Sequence, residues 1–301
     1  MVEDLDALFG RTASLAAAPR TVRELSGGLT NRNYKVTTPH GTFVARICSD
    51  ATMLGIDRDN EHHNSVAAAA AGVGAPVIEY RPQDRLLVLG YIEGRTLRDE
   101  DVADPATIPR VARACRRLHA GQRFAGDFDM FGVQRRYYSV VQAGGFRLPA
   151  GYDGLRPRFE AAGRALAIRD EGTVPCNNDL LAGNFIDDGA KLWLIDYEYS
   201  GNNDPCFELG NIGSECGLSA DALAALVTEY YGRELRHKIA RARLFSLVAK
   251  YGWTLWGSIQ DATSPLGFDF WSWAMERYEG AAAGLTGRDF GQLLDDAARD
   301  D

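Results

Sequence analysis

Between Cys176 and Asp196 the chain reads CNNDLLAGNFIDDGAKLWLID, a polar loop and turn followed by an apolar run, Leu192 to Ile195, that ends on an acid. A short apolar run bounded by turn residues is a buried strand. Any fold containing this unit has to carry Asp179 and Asn184 at the two ends of one loop, with Asp196 at the end of the strand. Singly, each is an ordinary turn residue, because Asp and Asn dominate loops through local hydrogen bonds. Together they supply a carboxylate that can orient and deprotonate a hydroxyl, and two oxygen ligands that can hold Mg²⁺ against the phosphates of ATP. Phosphoryl transfer is the chemistry this spacing predicts.

The rest of the chain divides into two parts. Thr21 to Leu25, Tyr34 to Thr38 and Thr42 to Ile47 read as strands, the last two joined by the turn Pro39-His40-Gly41. A helix from about Asp57 to Ala71 ends at Gly72, and strands follow near Val77 to Arg81 and Leu86 to Tyr91. Beyond Ile92 the pattern is helical: Ile108, Val111, Ala112, Cys115 and Leu118 recur at helical spacing after Asp104-Pro105. Further helices are expected over Tyr152 to Arg169, Ala220 to Leu235, Ile239 to Gln260 and Phe268 to Ala283, with a polar, peripheral tail after Gly287. The expectation is an α+β chain in two lobes: residues 1–92, a small antiparallel sheet with one helix that binds nucleotide, and residues 93–301, larger, mainly helical and catalytic.

Composition narrows the function. A net charge of −8 argues against binding a phosphate backbone, so no nucleic-acid partner is expected. The apolar tract from Val66 to Ile78 is broken by Gly72, Gly74 and Pro76, too short for membrane insertion, and the acidic N-terminus lacks the pattern of a signal peptide. Five dispersed cysteines without a CxxC pair point to reduced core thiols, and hence to a cytoplasmic protein.

The central segment resembles the catalytic loop and metal-binding motif of the choline kinase and aminoglycoside phosphotransferase superfamily, H-x-D-x-x-x-x-N followed by I-D-[FWY]-E. Asn177, Asp179, Asn184, Asp196, Tyr197 and Glu198 match it, with Asn177 where the superfamily usually has His. An Asn side chain can share that His's role as a hydrogen-bonding brace. The stretch LIDYEYSGNNDPCFELGN is especially similar to the choline/ethanolamine kinase branch. The resemblance implies a bilobal protein-kinase-like fold and extends from about Leu25 to Tyr278. It makes Asp179 the base, and Asn184 and Asp196 the metal ligands.

LSGGLTNRNYKV, from Leu25 to Val36, is similar to the family's phosphate-covering loop: Gly27 and Gly28 would let the backbone approach phosphates, and Thr30 and Asn31 would add donors. Arg46 stands where protein kinases place their phosphate-gripping lysine, with Glu61 either the carboxylate to hold it or, beside Asp57, Arg58 and Asp59, part of a solvated helix face. Gly90, Tyr91 and Ile92 would meet the adenine through backbone groups. His119 is explained by core packing, and His62 and His63, adjacent on a helix, face different directions.

Four of the five tryptophans fall between Tyr251 and Gly280. Trp253 and Trp256, one helical turn apart, with Phe268 and Trp273, are the aromatics that the resemblance assigns to a cage for a trimethylammonium group, with Glu198 nearby and Gln260 completing W-x-x-W-x-x-x-Q. Glu208 and Glu215 could add negative potential near that cation, or serve at a helix start or surface. Cys216 departs from the pattern, since the eukaryotic branch often has Trp there. The expected acceptor is choline. Ethanolamine, thiamine and aminoglycosides are alternatives within the same chemistry; a catalytically silent ATP-binding module, suggested by Asn177, is the alternative outside it.

Overall fold

A computed structural model describes residues 5–25, 28–49 and 52–299. Helix α1 (Leu5–Gly10) precedes strands β1 (Thr21–Leu25), β2 (Arg32–Thr38) and β3 (Gly41–Ile47). Helix α2 (Arg58–Ala70) follows, then β4 (Val77–Arg81) and β5 (Leu86–Gly90). The five strands form one antiparallel sheet in the order β1-β2-β3-β5-β4. Successive strand side chains point to opposite faces, which sorts the residues of this sheet. Tyr34, Val36, Ala45, Leu86 and Val88 are buried with Leu8, Phe9 and Leu15 in the smaller core, and Arg46, next to Ala45, turns to the other face.

Helix α2 begins because the Asp57 carboxylate accepts hydrogen bonds from the Asp59 and Asn60 amides, at 3.0 and 3.1 Å. It ends at Gly72, whose φ of +74° favours glycine. Its alanines, Ala67 and Ala68, join Val73 and Leu54 in the larger hydrophobic core, so this helix packs against the second lobe as well as lying beside the sheet.

Beyond Ile92 the chain runs through β6 (Arg95–Thr96), α3 (Asp99–Val102), α4 (Ile108–His119), α5 (Met130–Gly144) and α6 (Arg156–Ala167). Four short strands surround the central loop: β7 (Val174–Cys176), β8 (Phe185–Asp187), β9 (Leu192–Leu194) and β10 (Gly201–Asn203). They make two small sheets, β10-β7 and β6-β8-β9. The chain closes with α7 (Pro205–Glu215), α8 (Ala220–Tyr231), α9 (Arg236–Thr263), α10 (Phe270–Leu285) and α11 (Phe290–Ala298). The 28-residue α9 is the axis of this lobe, with α5, α7, α10 and α11 packed around it.

The two-lobed α+β architecture matches the expectation from sequence, but five helices do not follow from it. Helices α1, α3, α5, α7 and α11 were not anticipated, and the C-terminal tail is not peripheral. Phe290, Leu293 and Ala297 are buried, one turn apart, where α11 lies on α6 and α9. The five cysteines are free and buried. Among the described residues no helix is long and apolar enough to cross a membrane.

Helices α7 and α9 approach closely beneath the site. A Cβ on Gly210 of α7 would stand 2.3 Å from the Ala242 carbonyl oxygen and 2.9 Å from the Ser246 nitrogen of α9, so no larger residue fits without moving backbone. Gly210→Ala is expected to destabilise the fold by about 1–3 kcal/mol, read as a lowered urea midpoint at unchanged m-value.

Candidate active site

The loop after β7 is held from below by one buried acid. Glu208 of α7 is fully buried, and its two carboxylate oxygens accept the backbone N–H groups of Asn177 at 2.8 Å and Asn178 at 2.6 Å. Asn178 is left-handed, with φ of +67°, a conformation that Asn tolerates better than most residues. Its side-chain amide donates to the carbonyls of Cys176, Tyr199 and Gly201, tying the loop to the segment after β9. Glu208 thus lies under the loop and does not line a cavity, so the expected electrostatic role toward a bound cation does not hold for it. His119 packs beside it with Nε2 3.6 Å from the carboxylate and from Cys176 Sγ, and Nδ1 2.8 Å from the Tyr230 hydroxyl. That is the packed core histidine expected from the sequence.

Asn177 braces the upper side. Its Nδ2 donates to the carbonyls of Ile195 at 3.1 Å and Asp196 at 2.8 Å, and its Oδ1 accepts the Asp179 amide at 3.1 Å. One side chain therefore links the residue offered as base to the residue offered as metal ligand. Asp196 is itself left-handed, with φ of +65°, which costs a non-glycine residue roughly 1–2 kcal/mol. Bonding of its carbonyl by Asn177 holds it there.

The loop ends in a short 3₁₀ turn at Asn184, whose Nδ2 donates to the Asp179 carbonyl at 2.8 Å. That bond leaves Oδ1 on the other side of the amide, with no donor to it among the described residues. The half-buried Asp179 carboxyl is pushed well above the usual carboxylate range, first by burial and then by the charges of Glu215, Asp196 and Glu198.

Across the cleft, Arg46 Nη1 donates to Glu61 Oε1 at 2.9 Å and to Asp196 Oδ1 at 2.6 Å. The other Glu61 oxygen accepts Arg58 Nη1 at 2.6 Å, and the same Nη1 reaches Glu198 Oε2 at 3.2 Å. Burial alone would make Arg46 easier to deprotonate; Asp196 and Glu61 more than offset that and keep it charged. The Glu198 carboxyl is pushed up to about 7, by burial first and then by Asp196 and Glu61, with Arg46 and Arg58 opposing the shift. Arg58 was not anticipated; its signal was present, three residues before Glu61 on a helix, the spacing of an i,i+3 pair.

Two cavities meet at this point. One, of about 410 Å³, runs under the sheet past Val44, Arg46, Leu89, Gly90, Tyr91 and Ile92 to Asn184 and Asp196. The Gly90 and Tyr91 amides are already bonded to the Pro76 and Thr42 carbonyls, so of the three residues expected to meet a base only Ile92 keeps an uncommitted N–H among the described residues. The second cavity, of about 280 Å³, is lined by Asp179, Tyr199, Trp253, Trp256 and Trp273 on the helical side and by Gly28, Thr30 and Asn31 on the sheet side. Gly28, Asn33, Leu181, Asn184 and Asp196 border both.

Several sequence expectations need correction. Thr30 and Asn31 face the second cavity rather than the first. Asn31 is partly committed, because its Nδ2 donates to Glu198 Oε2 at 2.8 Å and its Oδ1 accepts Arg58 Nη2 at 2.9 Å. Phe268 lies outside the aromatic cavity, 43% exposed, with its ring against Phe270; Phe270 takes the inward place beneath Trp256. Gly27 lies outside the described residues. Tyr199, Asp99 and Arg277 line the cavity and were not anticipated. For Tyr199 the signal was its place directly after Glu198; Trp256 Nε1 donates to its hydroxyl at 2.8 Å and Trp253 meets its ring edge to face at 5.1 Å. For Arg277 the signal was its place four residues after Trp273 on one helix; for Asp99 nothing local marks the role.

A family model described as choline/ethanolamine kinase matches residues 22–229. A crystal structure of a choline/ethanolamine kinase family protein from Mesorhizobium loti is 30% identical, with a TM-score of 0.86 over 98% of each chain. The LicA protein of Haemophilus influenzae is 27% identical over 85% of this chain and 77% of its own, and ethanolamine kinase 2 of Rattus norvegicus 26% identical over 86% and 75%. The chain therefore belongs to the choline/ethanolamine kinase family and is a phosphotransferase that acts on the alcohol group of a small molecule.

Proposed function

We propose that the protein transfers the γ-phosphate of ATP to the hydroxyl of choline in a Mg²⁺-dependent reaction, giving phosphocholine and ADP. The observation that carries this is the junction of the two cavities: an aromatic, acid-lined pocket opens onto Asp179 and shares Asn184 and Asp196 with the cleft under the sheet. Residues 1–92 then act as the nucleotide-binding lobe and residues 93–301 as the catalytic and acceptor-binding lobe.

The donor set suits the metal. An amide oxygen without a donor at Asn184 and a carboxylate at Asp196 are hard oxygen ligands of the kind Mg²⁺ takes with only one or two protein groups. Bound there, Mg²⁺ would neutralise phosphate charge during transfer. Arg46 supplies a fixed positive charge on the same wall, and Gly28 leaves room for close backbone approach. Asp179 orients the acceptor hydroxyl and takes its proton; its raised proton affinity makes it a better base near neutral pH than an exposed carboxylate. Trp253, Trp256 and Tyr199 offer faces and edges to a quaternary ammonium, which cannot donate a conventional hydrogen bond.

Ethanolamine is the second reading, favoured by five carboxylates in the lining, Asp99, Asp179, Asp196, Glu198 and Glu215, with which a primary ammonium can pair. The silent-module alternative loses its motive, since Asn177 makes the bracing bonds that the loop needs.

ADP release with ATP, Mg²⁺ and either choline, ethanolamine, thiamine or an aminoglycoside tests the reading: preferential turnover of choline is expected, and turnover of none of the four would overturn it. Asp179→Asn is expected to lower kcat by roughly 10²- to 10⁴-fold with nearly normal nucleotide affinity. The same change should raise Tm at neutral pH, because an acid whose folded pKa is raised destabilises the fold once ionised. That gain should vanish below about pH 4, where the carboxyl is protonated in folded and unfolded chains alike. Glu208→Gln, which replaces one acceptor oxygen by a donor facing a backbone N–H, is expected to lower both Tm and kcat, the fold losing about 1–3 kcal/mol in urea titration.

A further inference from the structure

The aromatic cavity contains a cation of its own. Among the described residues that line it, Arg277 is the only positively charged side chain. The centre of its guanidinium stands 3.8 Å from the centroid of the Trp273 ring, and Nη2 donates to Glu215 Oε2 at 2.7 Å. The pair is largely out of solvent, with side-chain exposures of 13% for Arg277 and 4% for Glu215. Arg277 Nε is buried without a partner, and Nη1 reaches only the exposed Glu276, at 3.4 Å.

The stacking is a consequence of helix geometry. Trp273 and Arg277 are four residues apart on α10 and share a face, while Glu215 comes from the end of α7. A guanidinium at this distance makes with Trp273 the cation–π contact that an alkylammonium would otherwise make. It also satisfies the carboxylate that a primary ammonium would otherwise bind.

We propose that Arg277 is a specificity-determining residue of the acceptor site: it covers the face of Trp273 and holds the carboxylate of Glu215, so that the head group of a cationic alcohol is read by Trp253, Trp256 and Tyr199. This rests on the reading of the cavity as an amino-alcohol site. The competing account is that Arg277 merely clamps α10 to α7. The two differ in what removal does, since loss of a clamp loosens the pocket, whereas loss of a mask opens two binding groups.

The test is tryptophan-fluorescence titration of the full chain with tetramethylammonium and with methylammonium, ions that lack a hydroxyl and so report the pocket without turnover. Arg277→Ala is expected to bind tetramethylammonium about 3- to 20-fold more tightly than the wild type, the range of one exposed to partly desolvated cation–π contact. Methylammonium should tighten as well. Adding Trp273→Leu should remove the first gain, and adding Glu215→Gln the second. Arg277→Ala that melts cooperatively and binds both ions no better than wild type overturns the proposal. If that variant fails to fold, Arg277→Gln, which can still hydrogen-bond Glu215, replaces it: a gain for tetramethylammonium supports the mask, and no gain overturns it. Binding of neither ion by the wild type or any variant would overturn the reading of the cavity itself, whereas binding by the wild type with no gain on removing Arg277 would overturn only the role given to Arg277.

Discussion

A fully buried carboxylate has to be satisfied, and the way Glu208 is satisfied determines the geometry above it. Its two oxygens accept two successive backbone amides, and two successive amides can converge on one carboxylate only if the chain turns sharply between them. The left-handed Asn178 follows the second of these amides and redirects the chain from there. From there Asp179 rises to the cleft, and the side chains of Asn177 and Asn178 reach back to the Ile195–Gly201 segment. The position of Asp196 follows from the same anchor, because the carbonyl that Asn177 bonds belongs to Asp196. Close approach of α7 to α9 at Gly210 places the anchor at the right depth.

The second constraint is electrostatic and spans the lobes. Glu61 takes one guanidinium on each oxygen; each guanidinium in turn meets one acid of the Asp196-Tyr197-Glu198 segment. With all three acids ionised, the three carboxylates against two arginines leave the group one negative charge in excess, an arrangement with capacity for a cation. Removing one partner from such a buried group strands another as an uncompensated charge, which costs far more than breaking a surface pair. The network also reaches the glycine loop through Asn31, so the loop, the helix α2 and the Asp196-Tyr197-Glu198 segment form one bonded unit.

The aromatic cavity is built on a different principle. Its walls are indole and phenol rings fixed by their own polar atoms: Trp253 Nε1 on Asn211, Trp256 Nε1 on the Tyr199 hydroxyl. Aromatic rings placed this way cannot rotate freely, so the cavity is preformed rather than assembled by its ligand. Its lining is acidic, which suits a cation, yet Arg277 already takes up part of that capacity.

What the sequence determined by itself was whatever depends on neighbours along the chain. The loop spacing of Asp179, Asn184 and Asp196, the strand alternation around Arg46, and the helical spacing of Trp253 and Trp256 are local patterns, set by backbone periodicity, and each survives in the fold. Tertiary structure alone decided what depends on which surfaces meet. Asn31 was bound to Glu198, 167 positions away; Phe270 rather than Phe268 turned inward; Arg277 met Glu215 across two helices. Burial of Glu208 beneath the loop likewise leaves no local mark. The physical reason is that hydrogen bonds and ion pairs between distant segments are chosen by packing, which brings together side chains whose separation along the chain carries no information about their distance in space.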